Sequence, residues 1–415
     1  MAPTELPSQE DFANIVADYF FSRNKKIEGE LKLDRRQYSF VISDGQGRVV
    51  CQVLLTNYYN EYCREINPVN REEILMRATN GLIRRSNLSL REIESIKSRL
   101  LIQVKDRWSI EMWRLKLKMG VGGGKSSNVE IPHAVVAEHF ALLATYDMPE
   151  QMMYVTSSQL DEWGLEYLEC FEQGCANLFE RTQFDFESFM DTSTNESLIH
   201  KSMWQDEYDS ARIVFSDNLM TLPVSGERLI VLHNNNLMTV SGTDSQAGIA
   251  FLMMTMEEES KKPRSLPPVP ILMRDGVFSS YRVPRQKPLL RFLETKHLDY
   301  VQQVYAWQRQ ALEGEFNQLV AGWRVIPLQA DTSNKAKWPF THCSITSGRM
   351  PALVPKADIV YFGPSHKPQA SLRWDAFVKA FAPLLEETDH YPELHLLKTY
   401  PSQQEIASIG FVLDL

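Results

Sequence analysis

The stretch Arg228-Leu229-Ile230-Val231-Leu232-His233, then Asn234-Asn235-Asn236, then Leu237-Met238-Thr239-Val240 constrains this chain more than any other. Two apolar, β-branched runs on either side of turn-tolerant asparagines read as an antiparallel hairpin. Thr243-Asp244 then opens a helical pattern through Ile249, Leu252, Met253 and Met256. A proline-rich connector from Pro263 to Pro270 leads to Ile271–Met273 and Val277–Val283, split by Asp275-Gly276. Hairpins that alternate with helices in this way predict an α+β fold: a mixed core of β-hairpins packed on helices.

The rest of the chain follows the same grammar. Phe12, Ile15, Val16, Tyr19 and Phe20 repeat at helical spacing. A hairpin is expected over Tyr38–Ser43 and Arg48–Leu55, around Asp44-Gly45-Gln46-Gly47. Helices are expected over 68–85 and 89–99, the second opened by a capping box at Ser89-Leu90-Arg91-Glu92. Leu101–Val104 and Trp108–Lys118 read as extended, and residues 120–130 as a glycine- and serine-rich break. A further helix starts at Ser158-Gln159-Leu160-Asp161 and carries Leu165, Leu168, Leu178 and Phe179. Beyond Arg285, a long helical pattern runs over about 288–320 with a break at Gly314. Strands follow at Trp323–Leu328, Phe340–Thr346 and Ile359–Phe362, then a helix over Ser371–Glu387 and strands at Leu394–Tyr400 and Gly410–Leu413. Val283-Pro284-Arg285-Gln286-Lys287-Pro288 carries two prolines, which continue neither ladder nor helix. The expected organisation is a flexible tail over 1–9, an α+β region over 10–285 with a sub-boundary in the 120–130 loop, and a C-terminal α+β module over 286–415.

At 415 residues the chain has room for two or three cores. Its 44 basic and 53 acidic residues leave a net charge of −9, the opposite of the basic footprint of a dedicated nucleic-acid binder or of a protein docked by charge on an anionic membrane. That average does not describe local patches. The longest apolar stretch, around Ile249–Met256, is far short of a membrane span, and the first residues do not form a signal peptide. Five scattered cysteines (Cys51, Cys63, Cys170, Cys175 and Cys343) without a CxxC spacing read as reduced thiols of a cytoplasmic protein, with no metal and no cofactor expected.

Four clusters invite a chemical reading. Met119-Gly120-Val121-Gly122-Gly123-Gly124-Lys125-Ser126 ends like a phosphate-binding loop, with Gly122, Gly124, Lys125 and Ser126 as nucleotide-binding candidates. The first glycine of that pattern is Met119 instead, and Asn128-Val129-Glu130-Ile131-Pro132 is a poor helix opening. The flexible-loop reading is therefore preferred. His133 and His139, six residues apart, would point about 240° apart on a helix, which disfavours a zinc site. Adjacent His342 and Cys343 would face opposite sides of a strand. Asp206-Glu207-Tyr208-Asp209-Ser210-Ala211-Arg212-Ile213 packs acids, a hydroxyl and an arginine. Arg212 can grip a carboxylate at two points. The preferred alternative is a helix cap at Asp209 with Arg212 in a surface ion pair. Tyr208, Asp209, Arg212, Asn235 and Asn236 are the candidate binding residues.

Tyr208-Asp209-Ser210-Ala211-Arg212-Ile213, then Gly226-Glu227-Arg228-Leu229-Ile230-Val231, then Asn235-Asn236-Leu237-Met238-Thr239-Val240 together resemble the YtpQ-like family of uncharacterised bacterial proteins, the domain of unknown function 1444. Family members often carry Pro-Asn-Arg-Asp at the hairpin turn, where this chain has His233-Asn234-Asn235-Asn236. The resemblance covers about residues 10–285 and implies a bacterial, cytoplasmic, mixed α/β protein without an agreed reaction. No catalytic residue follows from it. The expected function is non-catalytic binding or scaffolding with a protein partner. The alternatives are a nucleotide-dependent enzyme that uses residues 120–126, or a small-ligand sensor with its pocket between modules.

Overall fold

A computed structural model of the protein describes residues 6–409 except 24–29, 36–37, 44–48, 66, 87–92, 120–129, 149–150, 164, 191–196, 263, 286–289, 334–335 and 349. The helical stripe at the start forms α1 (Gln9–Arg23), which buries Phe12, Val16 and Phe20. It covers an antiparallel sheet of β1 (Glu30–Asp34), β2 (Ser39–Ser43) and β3 (Val49–Leu54). Through α2 (Thr56–Arg64) the chain reaches α3 (Pro68–Ser86), whose Leu75 and Ala78 close this small core against Phe40 and Ile42. The expected turn at 44–47 and the capping box at 89–92 lie outside the described residues.

After α4 (Ile93–Lys97) come β4 (Leu100–Asp106), α5 (Arg107–Lys118), β5 (His133–Val136), β6 (Phe140–Met148) and β7 (Gln151–Tyr154). β6 is central: β4 runs along one side, and β5 and then β7 along the other. The nearest strands on either side of residues 120–129, β4 and β5, thus belong to one sheet. The stretch Trp108–Lys118 is a helix, not the extended segment its alternation suggested. Trp108, Ile110 and Met112 have strand spacing, but Met112, Leu115 and Met119 also lie three and four apart and pack into the C-terminal core. The Asp106 carboxylate accepts the Trp108 amide hydrogen bond and caps the helix start.

The helical pattern near 158–180 divides into α6 (Ser157–Trp163) and α7 (Tyr167–Glu180). The cap lies two residues earlier than expected: Thr156 Oγ accepts from Gln159 N while Gln159 Oε1 accepts from Thr156 N. The next unit is a six-stranded antiparallel sheet. It contains β8 (Phe186–Met190), β9 (Ser197–Ser202), β10 (Arg228–Asn234), β11 (Leu237–Gly242), β12 (Ile271–Arg274) and β13 (Val277–Ser280), in the order β13-β12-β10-β11-β9-β8. Helix α8 (Ser216–Met220) precedes β10, and α9 (Gln246–Glu259) follows β11, capped by Ser245 rather than Thr243. Period-two alternation sends Ile230 and Leu232 into the central core and Leu229 and Val231 toward α9.

The C-terminal part opens with α10 (Arg291–Glu313), which stops at Gly314. It is followed by β14 (Arg324–Val325), β15 (Leu328–Asp331), β16 (Phe340–Ile345), β17 (Ala352–Pro355), β18 (Ile359–Phe362), β19 (Ala370–Arg373), α11 (Trp374–Ala380), β20 (Leu385–Glu387), β21 (Leu394–Leu397) and α12 (Gln403–Ala407). Two four-stranded sheets result, β14-β17-β21-β20 and β15-β16-β18-β19, around Phe316, Phe362, Phe377 and Leu394. The helix expected over 371–387 is only α11. A 3-10 turn at Ala382–Leu384, with Pro383 in it, and then β20 replace its second half. The fold is α+β throughout. Among the described residues no helix is long and apolar enough to cross a membrane.

The parts on either side of residue 285 meet along a seam that has both apolar and polar contacts. His139 Nδ1 lies 2.9 Å from Tyr391 Oη, and its Nε2 lies 3.2 Å from His297 Nε2. Tyr300 donates to Asp106 at 3.0 Å, and Arg114 and Lys118 both reach Asp389 at 2.6 Å.

Candidate functional site

The acidic stretch at 206–213 and the asparagine turn meet in space. Ser210–Val214 is a short 3-10 helix, and Ser210 ties it to the β10–β11 turn: its Oγ donates to Asn234 O at 2.5 Å and its N to Asn235 O at 3.3 Å. Arg212 is completely buried. Its Nη1 and Nη2 donate to the two Asp206 oxygens at 2.8 and 2.6 Å, its Nε donates to Thr182 Oγ at 2.9 Å, and its guanidinium lies 4.3 Å over the Trp204 ring. The two-point grip is therefore formed, and the surface ion pair is corrected: Arg212 is internal. Asp209 sits at the N-cap position but makes no cap hydrogen bond from its side chain. Its Oδ1 accepts from Asp206 N instead.

This clamp shapes the loop above it. Gln205 and Glu207, on either side of Asp206, have φ of 53° and 67°, in the left-handed region that costs a side-chain-bearing residue about 1–2 kcal/mol. Both line an open cleft of about 490 Å³. β9 supplies Lys201 and Ser202, the hairpin supplies Asn234, Asn235 and Asn236, and the end of α9 and the residues after it supply Glu259, Lys262 and Arg264. Arg264 is the third left-handed residue of this lining, with φ of 61°.

The cleft carries paired and unpaired charge. Lys262 reaches Glu259 at 2.6 Å, and Glu259 also accepts from Asn234 Nδ2 at 2.9 Å. Arg264 lies 2.8 Å from Glu61 of α2 and 3.6 Å from Glu207. Lys201 is half-buried and makes no ion pair among the described residues. Behind the wall, His233 Nε2 lies 2.8 Å from Thr239 Oγ. Burial, and then the charges of Lys262 and Lys201, hold its imidazole down to about 3, so it is neutral at pH 7. Burial pushes the Asp206 carboxyl up, but the hydrogen bonds and charge of Arg212 outweigh it and leave the group below the ordinary range. Burial holds the Asp209 carboxyl above that range despite its hydrogen bonds. The phenol of Tyr208 is likewise raised by burial and then by the charge of Asp147.

Of the candidate residues read from sequence, Asn235 and Asn236 line the cleft, whereas Tyr208, Asp209 and Arg212 are buried. Lys201, Glu259, Lys262 and Arg264 were missed. They come from distant elements, and nothing in their spacing marks them. Glu207 stood within the acidic stretch but not among the candidates. Gly122, Gly124, Lys125 and Ser126 lie outside the described residues. α5 precedes that segment and β5 follows it, the reverse of the strand–loop–helix order around a phosphate loop. His133 is in β5 and His139 precedes β6, so the pair is not on a helix. Among the described residues no three His, Cys, Asp or Glu side chains converge as metal ligands. Comparison with protein-family models, with curated proteins and with solved structures gives no significant match to this chain.

Proposed function

We propose that this is a non-catalytic binding protein, YtpQ-like and cytoplasmic, which holds a polar, extended segment of a partner protein in the cleft. One observation carries the reading. Gln205, Glu207 and Arg264 are non-glycine residues in left-handed backbone, and all three line this one cleft. Strain of this kind persists where the surroundings enforce it, and it clusters at functional sites. The lining suits a polypeptide. The amides of Gln205, Asn235 and Asn236 each offer a donor and an acceptor, as a peptide main chain requires. Lys201 and Arg264, together with Glu207 and Glu259, set the charge pattern the segment must complement.

A photoreactive amino acid placed at exposed Asn236 tests this in cells. The expected result is a cross-link to one discrete polypeptide, lost on Lys201→Glu or Arg264→Glu, and not seen from Val69, which is 72% exposed far along the chain. Equal cross-linking from both positions, or capture at Asn236 indifferent to the charge reversals, defeats the reading.

A further inference from the structure

Helix α9 is apolar on more sides than its own sheet covers. From Ala247 to Met254 every residue is apolar. Ile249, Leu252 and Met256 pack against Ile199, Leu229 and Val231 of the sheet. Ala247, Ala250, Phe251 and Met254 fall on the opposite side at three- and four-residue spacing, and all four are exposed, Met254 by 71%. A helix that is apolar all round belongs in a covered setting. The stripe also extends sideways. The Phe251 ring stacks on Phe189 of β8, with centroids 5.7 Å and planes 27° apart, and Phe189 is itself exposed. β8 is the last strand of its sheet, so the apolar surface runs from the helix to the sheet edge. Exposed Gln246 bounds the stripe at one end, and exposed Glu257 and Glu258 bound it at the other.

The order of side chains along the stripe selects its occupant. Ala247 and Ala250 are small, and Phe251 and Met254 are large. A second copy that runs antiparallel sets Met254 over Ala247 and Phe251 over Ala250, and the reverse contacts follow by symmetry. Such a patch is complementary to itself about a two-fold axis. Parallel copies would instead set Phe251 on Phe251 and Met254 on Met254, and would bring Glu257 and Glu258 against their own copies. The same glutamates disfavour an anionic membrane surface as the cover.

We infer that α9 is a dimerisation surface, and that two copies of this chain pair through antiparallel α9 helices about a two-fold axis between Ala250 and Phe251. Few side chains take part, so the dimer is weak and reversible, with a dissociation constant in the micromolar range. The pairing has a consequence for the cleft, which Glu259 and Lys262 line at the C-terminal end of α9. α9 has 14 residues, so antiparallel helices hold the two clefts at opposite ends of the pair, about 20 Å apart or more. The pairing itself does not depend on what the cleft binds.

Sedimentation of the full chain, from micromolar to sub-millimolar concentration, tests the inference. The expected result is a reversible monomer–dimer equilibrium. Met254→Glu should raise the dissociation constant about tenfold or more, because it places a charge in the contact. The position is exposed, so the thermal melt of the monomer should not move. Ala247→Met and Met254→Ala should each weaken the dimer, the first by crowding and the second by leaving a gap. Combined, they exchange large for small on both sides of the axis and should restore it. A chain that stays monomeric at every concentration overturns the inference and leaves the stripe to a different partner. A dimer that survives Met254→Glu overturns it in favour of another face. Single changes that weaken the dimer without restoration by the exchange overturn the antiparallel pairing.

Discussion

Arg212 grips both oxygens of Asp206 from a completely buried position, and Asp206 is the residue between the two left-handed positions of the cleft wall, Gln205 and Glu207. The clamp therefore converts a buried charge into loop geometry. Its energy holds a conformation that the loop's own sterics oppose. Trp204 and Thr182 fix the guanidinium, so the loop inherits the rigidity of the core behind it.

Arg212→Lys tests this role. An ammonium reaches one Asp206 oxygen and cannot also serve Thr182 or stack on Trp204. Asp206 is partly exposed, so the loss should fall at the low end for a broken buried pair, about 3 kcal/mol. Urea unfolding should show a lower midpoint with unchanged slope, and the Asn236 cross-link should be lost even at temperatures where the variant is folded.

The seam histidines give a pH signature. Burial, and then the charges of Arg107 and Arg282, hold His139 down to about 3, and burial with the neighbouring His139 holds His297 well below its ordinary value. Both are then neutral in the fold but take a proton when unfolded below about pH 6.5. Their contribution is full above that pH and declines as pH falls toward 3, by about 1.4 kcal/mol per pH unit for each. Carboxylates held low, such as Glu393 at about 2, add their loss only below their ordinary range. His233, also held at about 3, adds the same loss, so chemical denaturation between pH 6.5 and 4.5 should show a slope that His139→Gln reduces by about a third. An unchanged slope would remove the histidines from the account.

Two glycines separate crowding from conformation. A Cβ on Gly242 would lie 2.0 Å from the Ser225 carbonyl oxygen, so β11 or the facing chain must move. Gly242→Ala should cost about 3 kcal/mol. At Gly276, in the β12–β13 turn, the nearest atom is Ser216 Oγ at 3.9 Å, and only the φ of 78° opposes a side chain. Gly276→Ala should cost about 1 kcal/mol. Thermal melts of the two variants, compared directly, check the order.

What could be read from sequence was local. The β10–β11 hairpin, α1 and the stop of α10 at Gly314 depend on periodicity and turn chemistry within a dozen residues, and all are present. α5 was misread because its apolar residues satisfy both periods, and only the Asp106 cap and the distant core settle the choice. Arg212 carried its two-point potential in its chemistry, but its burial depends on Thr182 and Trp204 folding over it. The cleft itself joins Lys201, Asn235, Arg264 and, through its ion pair, Glu61, residues with no shared spacing.

The join at residue 285 separates cores that are largely distinct. The C-terminal core consists almost wholly of residues beyond 290, with Leu115, Met112 and Met119 of α5 added from the other side. The central core lies wholly before 285. A third cluster is mixed: Leu229, Val231 and Ile249 pack with Leu290, Leu293 and Trp338. The seam adds hydrogen bonds from His139 to Tyr391 and from Tyr300 to Asp106, and the two ion pairs of Asp389. None of these contacts needs the peptide bond at 285. Fragments 1–285 and 286–415, co-expressed, should therefore associate and co-purify as a folded complex. Each alone leaves the apolar parts of the seam in water and should be less soluble than the pair. Asp389→Arg sets one like charge against both Arg114 and Lys118, and should weaken the association without touching either core. Fragments that fold but stay apart, or that associate regardless of Asp389→Arg, would show that the seam does not hold the two parts together as argued.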